Sequence, residues 1–238
     1  MIDMSYFTET LKRLELRERR LLNQIWGRDV WYYTQLRRFK EKHGKGTEGY
    51  YISPDKITRA SVVYSFGVGH DISFDLSLIR KFGLQVYAFD PTPNVAEWIR
   101  KQNLPEQFHF FDYGIANCDG VMKLFPRKPK GACWTLSGEV TASNAVEVKV
   151  YRLKTILNML GHQKIDILKM DIEGAEYAVI DDLVASGITT EQILVEFHHR
   201  FKNIGKRKTA RAIKLLNGKD FRIFDISLHG EEYSFIRA

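Results

Sequence analysis

The sequence predicts an α/β fold with a doubly wound, mostly parallel sheet, preceded by a helical extension. From about residue 61 onward, short apolar runs alternate with amphipathic stretches, and strands that alternate with helices pair in parallel. The length of 238 residues, with 44% hydrophobic and 27% charged residues, suits one large globular domain. We therefore divide the chain into an extension over residues 1–49 and a domain over residues 50–238.

The extension is predicted to be helical to about Lys42. Its apolar residues recur at three- and four-residue spacing and are Tyr6, Phe7, Leu11, Leu14, Leu21, Leu22, Ile25 and Trp26. Glycines at 44, 46 and 49 break this pattern. A segment this short has no core of its own, so we expect it to pack on the domain or to form a homodimer through its helices. Four aromatic residues could line an acceptor site or serve as core or dimer contacts: Trp26, Trp31, Tyr32 and Tyr33.

The remaining elements follow from hydrophobic periodicity and turn residues. Predicted strands cover residues 61–66, 85–89, 107–111, 121–125, 145–151, 165–170, 192–197, 221–226 and 232–236. One predicted helix ends at residue 82, and three others cover residues 95–102, 177–185 and 207–216. The strands at 121–125 and 145–151 alternate with period two, which is typical of antiparallel additions. The whole pattern indicates a Rossmann-like domain.

Composition and charge limit the binding partners and the cellular compartment that we expect for this protein. The net charge of +7 permits acidic ligands, but Phe201 is the only aromatic residue in the basic run 200–214, so we do not expect nucleic acid binding. No apolar run reaches the roughly 18 residues of a membrane span, and the first 20 residues lack the apolar core of a secretory signal. Two cysteines, Cys118 and Cys133, are too few for a disulfide framework. We expect a cytoplasmic protein without a membrane span.

A two-glycine turn follows the first domain strand. Gly67 permits a tight turn, and Gly69 lets the backbone approach a ligand. The third glycine of the dinucleotide pattern is replaced by Ile72, and the neighbouring Asp71 would repel a pyrophosphate. A zwitterionic amino-acid group therefore suits this turn better. Asp90 ends the next strand, 21 residues after Gly69. A carboxylate at that position can accept both hydroxyls of a ribose or cap the following helix.

Carboxylates gather where two later strands end. Asp171 and Glu173 follow one strand, and Glu196 and His198 lie on one face at the end of the next. Close like charges need a cation between them, which Lys169, a sulfonium or a divalent metal could supply. These four residues would suit a hard divalent ion, although their spacing is no specific metal motif and requires none.

Two nearby residues have plainer interpretations. Glu176 is placed as an acid in the first turn of a helix, favoured by the helix dipole. His199 is expected in a surface position or a loop.

Four segments resemble the FkbM-type family of class I S-adenosylmethionine-dependent methyltransferases. They are Ser65-Phe66-Gly67-Val68-Gly69, Phe89-Asp90-Pro91, Leu168-Lys169-Met170-Asp171-Ile172-Glu173-Gly174-Ala175-Glu176 and Val195-Glu196-Phe197-His198. The resemblance implies that Gly67 and Gly69 pass the methionine part of the cofactor, that Asp90 holds its ribose, and that Tyr113, Gly114 and Ile115 lie near its adenine. Ser65 and Asp71 stand where many class I enzymes have an acid and a third glycine. We assign both residues, with Asp171, to cofactor binding.

The resemblance implies O-methylation of a hydroxyl on a small-molecule or carbohydrate acceptor. Such a hydroxyl must lose a proton as the methyl group arrives, and the candidates for this role are Asp171, Glu173, Glu196 and His198. Two alternatives remain, a non-catalytic module that binds the cofactor and a nicotinamide-dependent oxidoreductase. The basic balance alone suggests a third and weaker one, an RNA methyltransferase.

Overall fold

A computed structural model describes residues 4–46, 49–126, 134–135, 145–201 and 203–238. Its α-helices are α1 Met4–Ile25, α2 Ser73–Phe82, α3 Pro93–Ile99, α4 Leu153–Leu160, α5 Glu176–Ser186 and α6 Lys206–Asn217. The strands before the middle of the chain are β1 Glu41–His43, β2 Tyr50–Ile52, β3 Val62–Phe66, β4 Gln85–Phe89, β5 Phe108–Phe111 and β6 Gly114–Ile115. The later strands are β7 Gly120–Pro126, β8 Trp134–Thr135, β9 Val146–Tyr151, β10 Lys164–Met170, β11 Thr189–Glu196, β12 Phe221–Ile226 and β13 Glu232–Arg237.

The main sheet has seven strands in the order β12-β13-β11-β10-β3-β4-β5. The five strands from β11 to β5 pair in parallel. β13 runs antiparallel to them at one edge, and β12 pairs antiparallel with β13, so β12 runs in the same direction as the five parallel strands. Side chains that alternate along β3 fill both faces, with Val63 in one apolar cluster and Tyr64 in the other. Helices cover both faces, because both faces are apolar. The predicted Rossmann-like, doubly wound and mostly parallel fold is confirmed.

A smaller sheet holds the two strands predicted as antiparallel additions. β7 pairs antiparallel with β9 from Gly120 with Val150 to Leu124 with Val146. Both strands belong to a separate sheet of order β6-β9-β7-β8, and not to the edge of the main sheet. The helix α4 was absent from the prediction. Its apolar residues do follow helical spacing, at Leu153, Ile156, Leu157 and Leu160.

The prediction of helix to about Lys42 was wrong. α1 ends at Ile25 because Gly27 adopts a left-handed conformation (φ +70°) and the amide of Arg28 bonds back to the carbonyl of Asn23. The chain then runs without regular structure to β1, which pairs antiparallel with β2. The boundary between residues 49 and 50 falls between these paired strands, and the division into extension and domain stays a prediction.

One side of α1 packs on the domain and the other is exposed. Leu16 and Gln24 are buried, and Arg20 donates to the carbonyl oxygens of Ser227 and Tyr32. The exposed apolar side chains at and just beyond this helix are Leu11, Leu14, Leu21, Leu22, Ile25 and Trp26. Packing against the domain thus agrees with expectation, and a homodimer through α1 stays a prediction. Among the described helices, none has the length and apolarity to cross a bilayer.

Candidate active site

The strand order of the main sheet reverses between β3 and β10, and the candidate site lies there. β4 lies on one side of β3, whereas β10 and β11 lie on the other. Open α/β sheets bind ligands at such a point, outside the carboxyl ends of the strands. The register pairs Phe66 with Phe89 and Met170, and it pairs Met170 with Val195. The residues that follow these four form one row: Gly67, Asp90, Asp171 and Glu196.

The two glycines of the turn are needed for different reasons. Gly67 has φ +74°, and a Cβ atom there would lie 1.7 Å from the backbone oxygen of Asp171. No side chain fits, because the neighbouring strand passes directly alongside. Gly69 has φ +53°, and a Cβ atom there would meet nothing within 4 Å. Its backbone therefore faces open space, as a ligand contact requires.

Asp90 lies against this turn. Its Oδ2 accepts a 2.9 Å hydrogen bond from the amide of Gly69, and its Oδ1 accepts one of 2.9 Å from the amide of Thr92. The carboxylate therefore braces the turn and holds the residue that precedes α3. Within the described part of the chain it accepts from no amide of α3, so the interpretation of Asp90 as a helix cap is not borne out. Each oxygen keeps a further lone pair for a ligand hydroxyl.

An open cavity of about 150 Å³ extends from the turn. It brings together six predicted cofactor residues and two predicted catalytic residues, with Asp171 in both sets: Gly67, Gly69, Asp90, Gly114, Ile115, Asp171 and Glu173. The prediction did not include His70, Thr92, Asn94 and Leu124, which also line it. Thr92 and Asn94 flank the Pro93 that starts α3, so a helix N-terminus after Asp90 was the available signal. Leu124 comes from the smaller sheet, whose position the sequence did not reveal.

Three predicted cofactor residues are not brought to this cavity. Ser65 is fully buried within β3, a strand that is covered on both faces. Asp71 is exposed, and its Oδ1 accepts a bond from the amide of Ser73 at the start of α2, which turns the carboxylate away. Tyr113 packs its ring against the rings of Phe89 and Tyr151 in the core.

The four predicted catalytic residues meet around one imidazole. The Nε2 atom of His198 lies 3.8 Å from Asp171, 3.5 Å from Glu173 and 3.7 Å from Glu196. Glu173 has φ +52° and is followed by Gly174 at φ +104°. A left-handed conformation is costly for a residue with a side chain, so this turn is held in place by its surroundings.

A fourth carboxylate orients this imidazole. Glu176 is fully buried at the start of α5, and its Oε1 accepts a bond from the backbone amide of His198 (3.0 Å) and lies 3.3 Å from Nδ1. Its Oε2 accepts a bond from the amide of Gly174. A carboxylate accepts from an imidazole N–H, so Nδ1 carries hydrogen and Nε2 faces the other three acids. Glu176 is thus more than the helix-dipole acid that the sequence suggested.

Burial and charge shift the pKa values of this cluster. Burial, followed by the charge of Asp171, raises the pKa of Glu196 to about 9. Burial also raises the pKa of Asp171, and Lys169 partly offsets that rise. Burial alone would lower the pKa of His198, but Glu176 and then Glu196 and Asp171 outweigh it and raise this pKa to about 9. The cluster therefore holds protons or another cation near neutral pH.

A second cleft also opens at the turn, with a volume of about 410 Å³. Its lining includes Lys45, Tyr50, Asp171, Glu196 and Glu232. Asp171 belongs to both spaces, so a ligand in each would meet at its carboxylate. None of Trp26, Trp31, Tyr32 and Tyr33 lines either cleft.

His199 follows the cluster but faces away from it. The prediction of a loop holds, because it lies in a turn after β11, but the surface position was wrong because its side chain is fully buried. Its Nε2 donates to Asp29 over 2.7 Å, and Arg200 donates to the same carboxylate over 2.6 Å. This contact ties the segment after α1 to the domain.

The family model of the "Methyltransferase FkbM domain" matches residues 24–223. The match covers most of the chain and starts at the end of α1. The chain belongs to the FkbM methyltransferase domain family.

Curated relatives of this FkbM domain are similar over part of their length. "Probable methyltransferase-like protein 24" of Rattus norvegicus is 29% identical over 178 residues, which cover 70% of this chain and 43% of that protein. The Homo sapiens protein of the same name is 28% identical over 173 residues, covering 68% and 41%. The chain spans less than half the length of these relatives.

Solved structures with a similar fold are remote in sequence. Methyltransferase FkbM from Methylobacillus flagellatus KT has a TM-score of 0.47 at 10% identity, covering 76% of this FkbM domain and 44% of that chain. Aeropyrum pernix fibrillarin, which natively binds S-adenosyl-L-methionine, has a TM-score of 0.41 at 10% identity, covering 76% and 67%.

Proposed function

We propose that this chain is an S-adenosylmethionine-dependent methyltransferase that methylates a hydroxyl oxygen of a sugar, glycan or secondary metabolite. One observation carries the proposal: the turn at Gly67 and Gly69, braced by Asp90, opens into a cavity that ends at the carboxylate cluster. Membership of the FkbM family supports methyl transfer. The choice of oxygen as acceptor is supported by the cluster, which can remove a proton.

The residues that line the cavity support this choice of cofactor. Asp90 keeps lone pairs for the ribose hydroxyls, and the open backbone at Gly69 suits the methionine part. Gly114 and Ile115 also line the cavity, and their apolar surface suits adenine. Asp171 stands at the far end, where its negative charge would attract a sulfonium.

The residues of the chain then need to align an acceptor and take its proton. When bound, S-adenosylmethionine supplies a methyl group that is already activated on sulfur. Asp171 lines both clefts, so an acceptor in the second cleft would meet the cofactor at the cluster. An alcohol does not ionise near neutral pH, so a carboxylate of the cluster accepts its proton as the new bond forms.

Calorimetry with S-adenosylhomocysteine tests the cofactor assignment. We expect binding by the intact chain, and no binding of NAD, since Ile72 stands where a pyrophosphate needs a third glycine. Asp90→Asn should weaken S-adenosylhomocysteine at least about tenfold, because the amide cannot accept two hydroxyls. Asp55→Asn is the matched control, since Asp55 is exposed just before β3, at the opposite end of that strand. Binding of NAD instead would support the oxidoreductase alternative.

Turnover is measured as S-adenosylhomocysteine released from S-adenosylmethionine with a panel of sugars, polyols and phenols. We expect release with at least one hydroxyl compound and mass addition of one methyl group to that compound. Cofactor binding without transfer to any member would support the non-catalytic module. Transfer to nitrogen or carbon would refute the choice of oxygen and leave the methyltransferase assignment intact.

A further inference from the structure

Three side chains at the carboxylate cluster are arranged as metal ligands. One donor atom each from Asp171, Glu196 and His198 lies within 4.8 Å of the other two. They come from the ends of β10 and β11, whose backbones are paired through Met170 and Val195. Because paired strands fix the backbone on both sides, this donor set is organised before any ligand arrives.

An independent observation points to a ligand at the same place. The side chain of Tyr50 is buried, with 4% of the residue exposed, and its hydroxyl has no hydrogen-bond partner within the described residues. Tyr50 lines the second cleft with Asp171 and Glu196, whose charges act on its hydroxyl. A buried hydroxyl without a partner is costly, so this phenol is suited to an oxygen atom that a ligand brings.

The donor chemistry selects the kind of ion. The two carboxylates favour a hard divalent ion such as Mg²⁺ or Mn²⁺ over the soft metals that prefer thiolates. Glu176 holds the Nδ1 side of His198, so that Nε2 faces Asp171 and Glu196. Carboxylates that hold the outer nitrogen in this way are typical of histidines that bind metals.

We propose that Asp171, Glu196 and His198 bind one divalent cation of the Mg²⁺ or Mn²⁺ type, and that the hydroxyl of Tyr50 contacts an oxygen atom bound to that cation. The oxygen belongs to water in the resting protein and to the acceptor hydroxyl during turnover.

The catalytic consequence rests on the proposed methyltransferase function. A cation at this position lowers the pKa of the acceptor hydroxyl, and the carboxylate of Glu173 takes the released proton. The new bond joins the acceptor oxygen to the methyl carbon. The bond between that carbon and sulfur breaks, and S-adenosylhomocysteine leaves.

Mn²⁺ alone is the probe, because its electron paramagnetic resonance signal in solution disappears on binding. The full chain is first stripped with EDTA and then titrated with MnCl₂. We expect a single bound ion, and a loss of affinity of at least about tenfold in Glu196→Gln. Glu191→Gln is the matched control, since Glu191 lies on the same strand but at its other end, in a surface pair with Lys56. Tyr50→Phe should keep the affinity for Mn²⁺, because Tyr50 contacts the oxygen and not the ion.

The outcomes separate this inference from the proposed function. Absence of Mn²⁺ binding up to about 1 mM, the weak limit of biological sites with oxygen ligands, would overturn it, as would equal affinity in Glu196→Gln. S-adenosylhomocysteine binding is measured in the same samples by calorimetry. Cofactor binding without Mn²⁺ binding would refute the cation site and leave the methyltransferase assignment intact. Mn²⁺ binding without cofactor binding would refute the methyltransferase assignment and leave the cation site intact. Turnover that survives EDTA would overturn the catalytic role.

Discussion

Two adjacent histidines are each held by a buried carboxylate, yet they face different parts of the molecule. Glu176 holds Nδ1 of His198, whose Nε2 faces three acids at the clefts. Asp29 holds Nε2 of His199, whose Nδ1 has no hydrogen-bond partner in the described part of the chain. The same pairing therefore orients a histidine of the candidate site in one case and fastens the N-terminal segment in the other. What distinguishes them is the surroundings of the second nitrogen.

Asparagine substitutions at the two positions should separate the roles most clearly. In His198→Asn we expect turnover to fall by about 10²–10⁴-fold, the range for loss of proton transfer, because the imidazole around which the carboxylates of the cluster gather is removed, with S-adenosylhomocysteine affinity retained. In His199→Asn we expect turnover within a few fold of wild type and a loss of about 1–3 kcal/mol in the free energy of unfolding. The measurements are S-adenosylhomocysteine release, calorimetry and urea denaturation.

A second variant, at a position closer to solvent, tests the cluster in case His198→Asn fails to fold. Glu196 is partly exposed and belongs to the same cluster, so Glu196→Gln should lose turnover and keep its stability. Equal turnover in wild type, Glu196→Gln and His198→Asn would show that the cluster takes no part in the reaction.

The structural role of Asp29, the partner of His199, is tested by measuring the free energy of unfolding. Asp29 is fully buried and pairs with Arg200 at 2.6 Å, whereas Asp181 is exposed and pairs with Arg211 at 2.7 Å. Removing one partner of a buried pair costs about 3–5 kcal/mol, but an exposed pair contributes about 1 kcal/mol or less. Urea denaturation should therefore show a large loss in Asp29→Asn and a small one in Asp181→Asn. Similar losses in both would mean that burial of Asp29 carries no special energetic weight.

The two histidines also show what the sequence could predict. Asp171, Glu196 and His198 were grouped correctly, because carboxyl ends of neighbouring parallel strands meet at one edge of a sheet. The fold followed from the same alternation of strands and helices. The partner of His199 lies 170 residues away, in a segment predicted as helix. A long-range contact of this kind leaves no local pattern, and the predicted surface position failed for that reason.

Glu176 is a buried carboxylate like Asp29, but it lies beside His198 in the candidate site. We expect it to affect turnover through the orientation of that histidine. Glu176→Gln keeps an oxygen acceptor for the imidazole, and Glu176→Ala removes it. We expect turnover to fall by about tenfold in the glutamine variant and by about 100-fold in the alanine variant, the range for groups that orient a functional histidine. Partial rescue by glutamine, measured as kcat well below the melting temperature, indicates positioning. If both variants unfold early but keep the kcat of wild type, Glu176 is structural only.

The dependence of stability on pH distinguishes the charge of Asp29 from its packing. Burial alone would raise the pKa of Asp29, but hydrogen bonds and charges from His199 and Arg200 outweigh it and hold the pKa below its ordinary value of 3.8. Since the folded pKa is the lower one, the unfolded chain binds more protons in this interval, and the stabilisation by Asp29 is complete above 3.8 and lost as the pH falls through the folded pKa.

The difference in free energy of unfolding between wild type and Asp29→Asn should therefore stay constant from pH 7 to about 5 and shrink below 3.8. Urea denaturation at several pH values measures it, with Asp181→Asn as the control for general acid effects. A difference that is the same at pH 3 as at pH 7 would mean that the charge of Asp29 does not stabilise the fold. The contact with His199 would then act through packing and neutral hydrogen bonds, and both histidines would owe their orientation to shape more than to the carboxylates beside them.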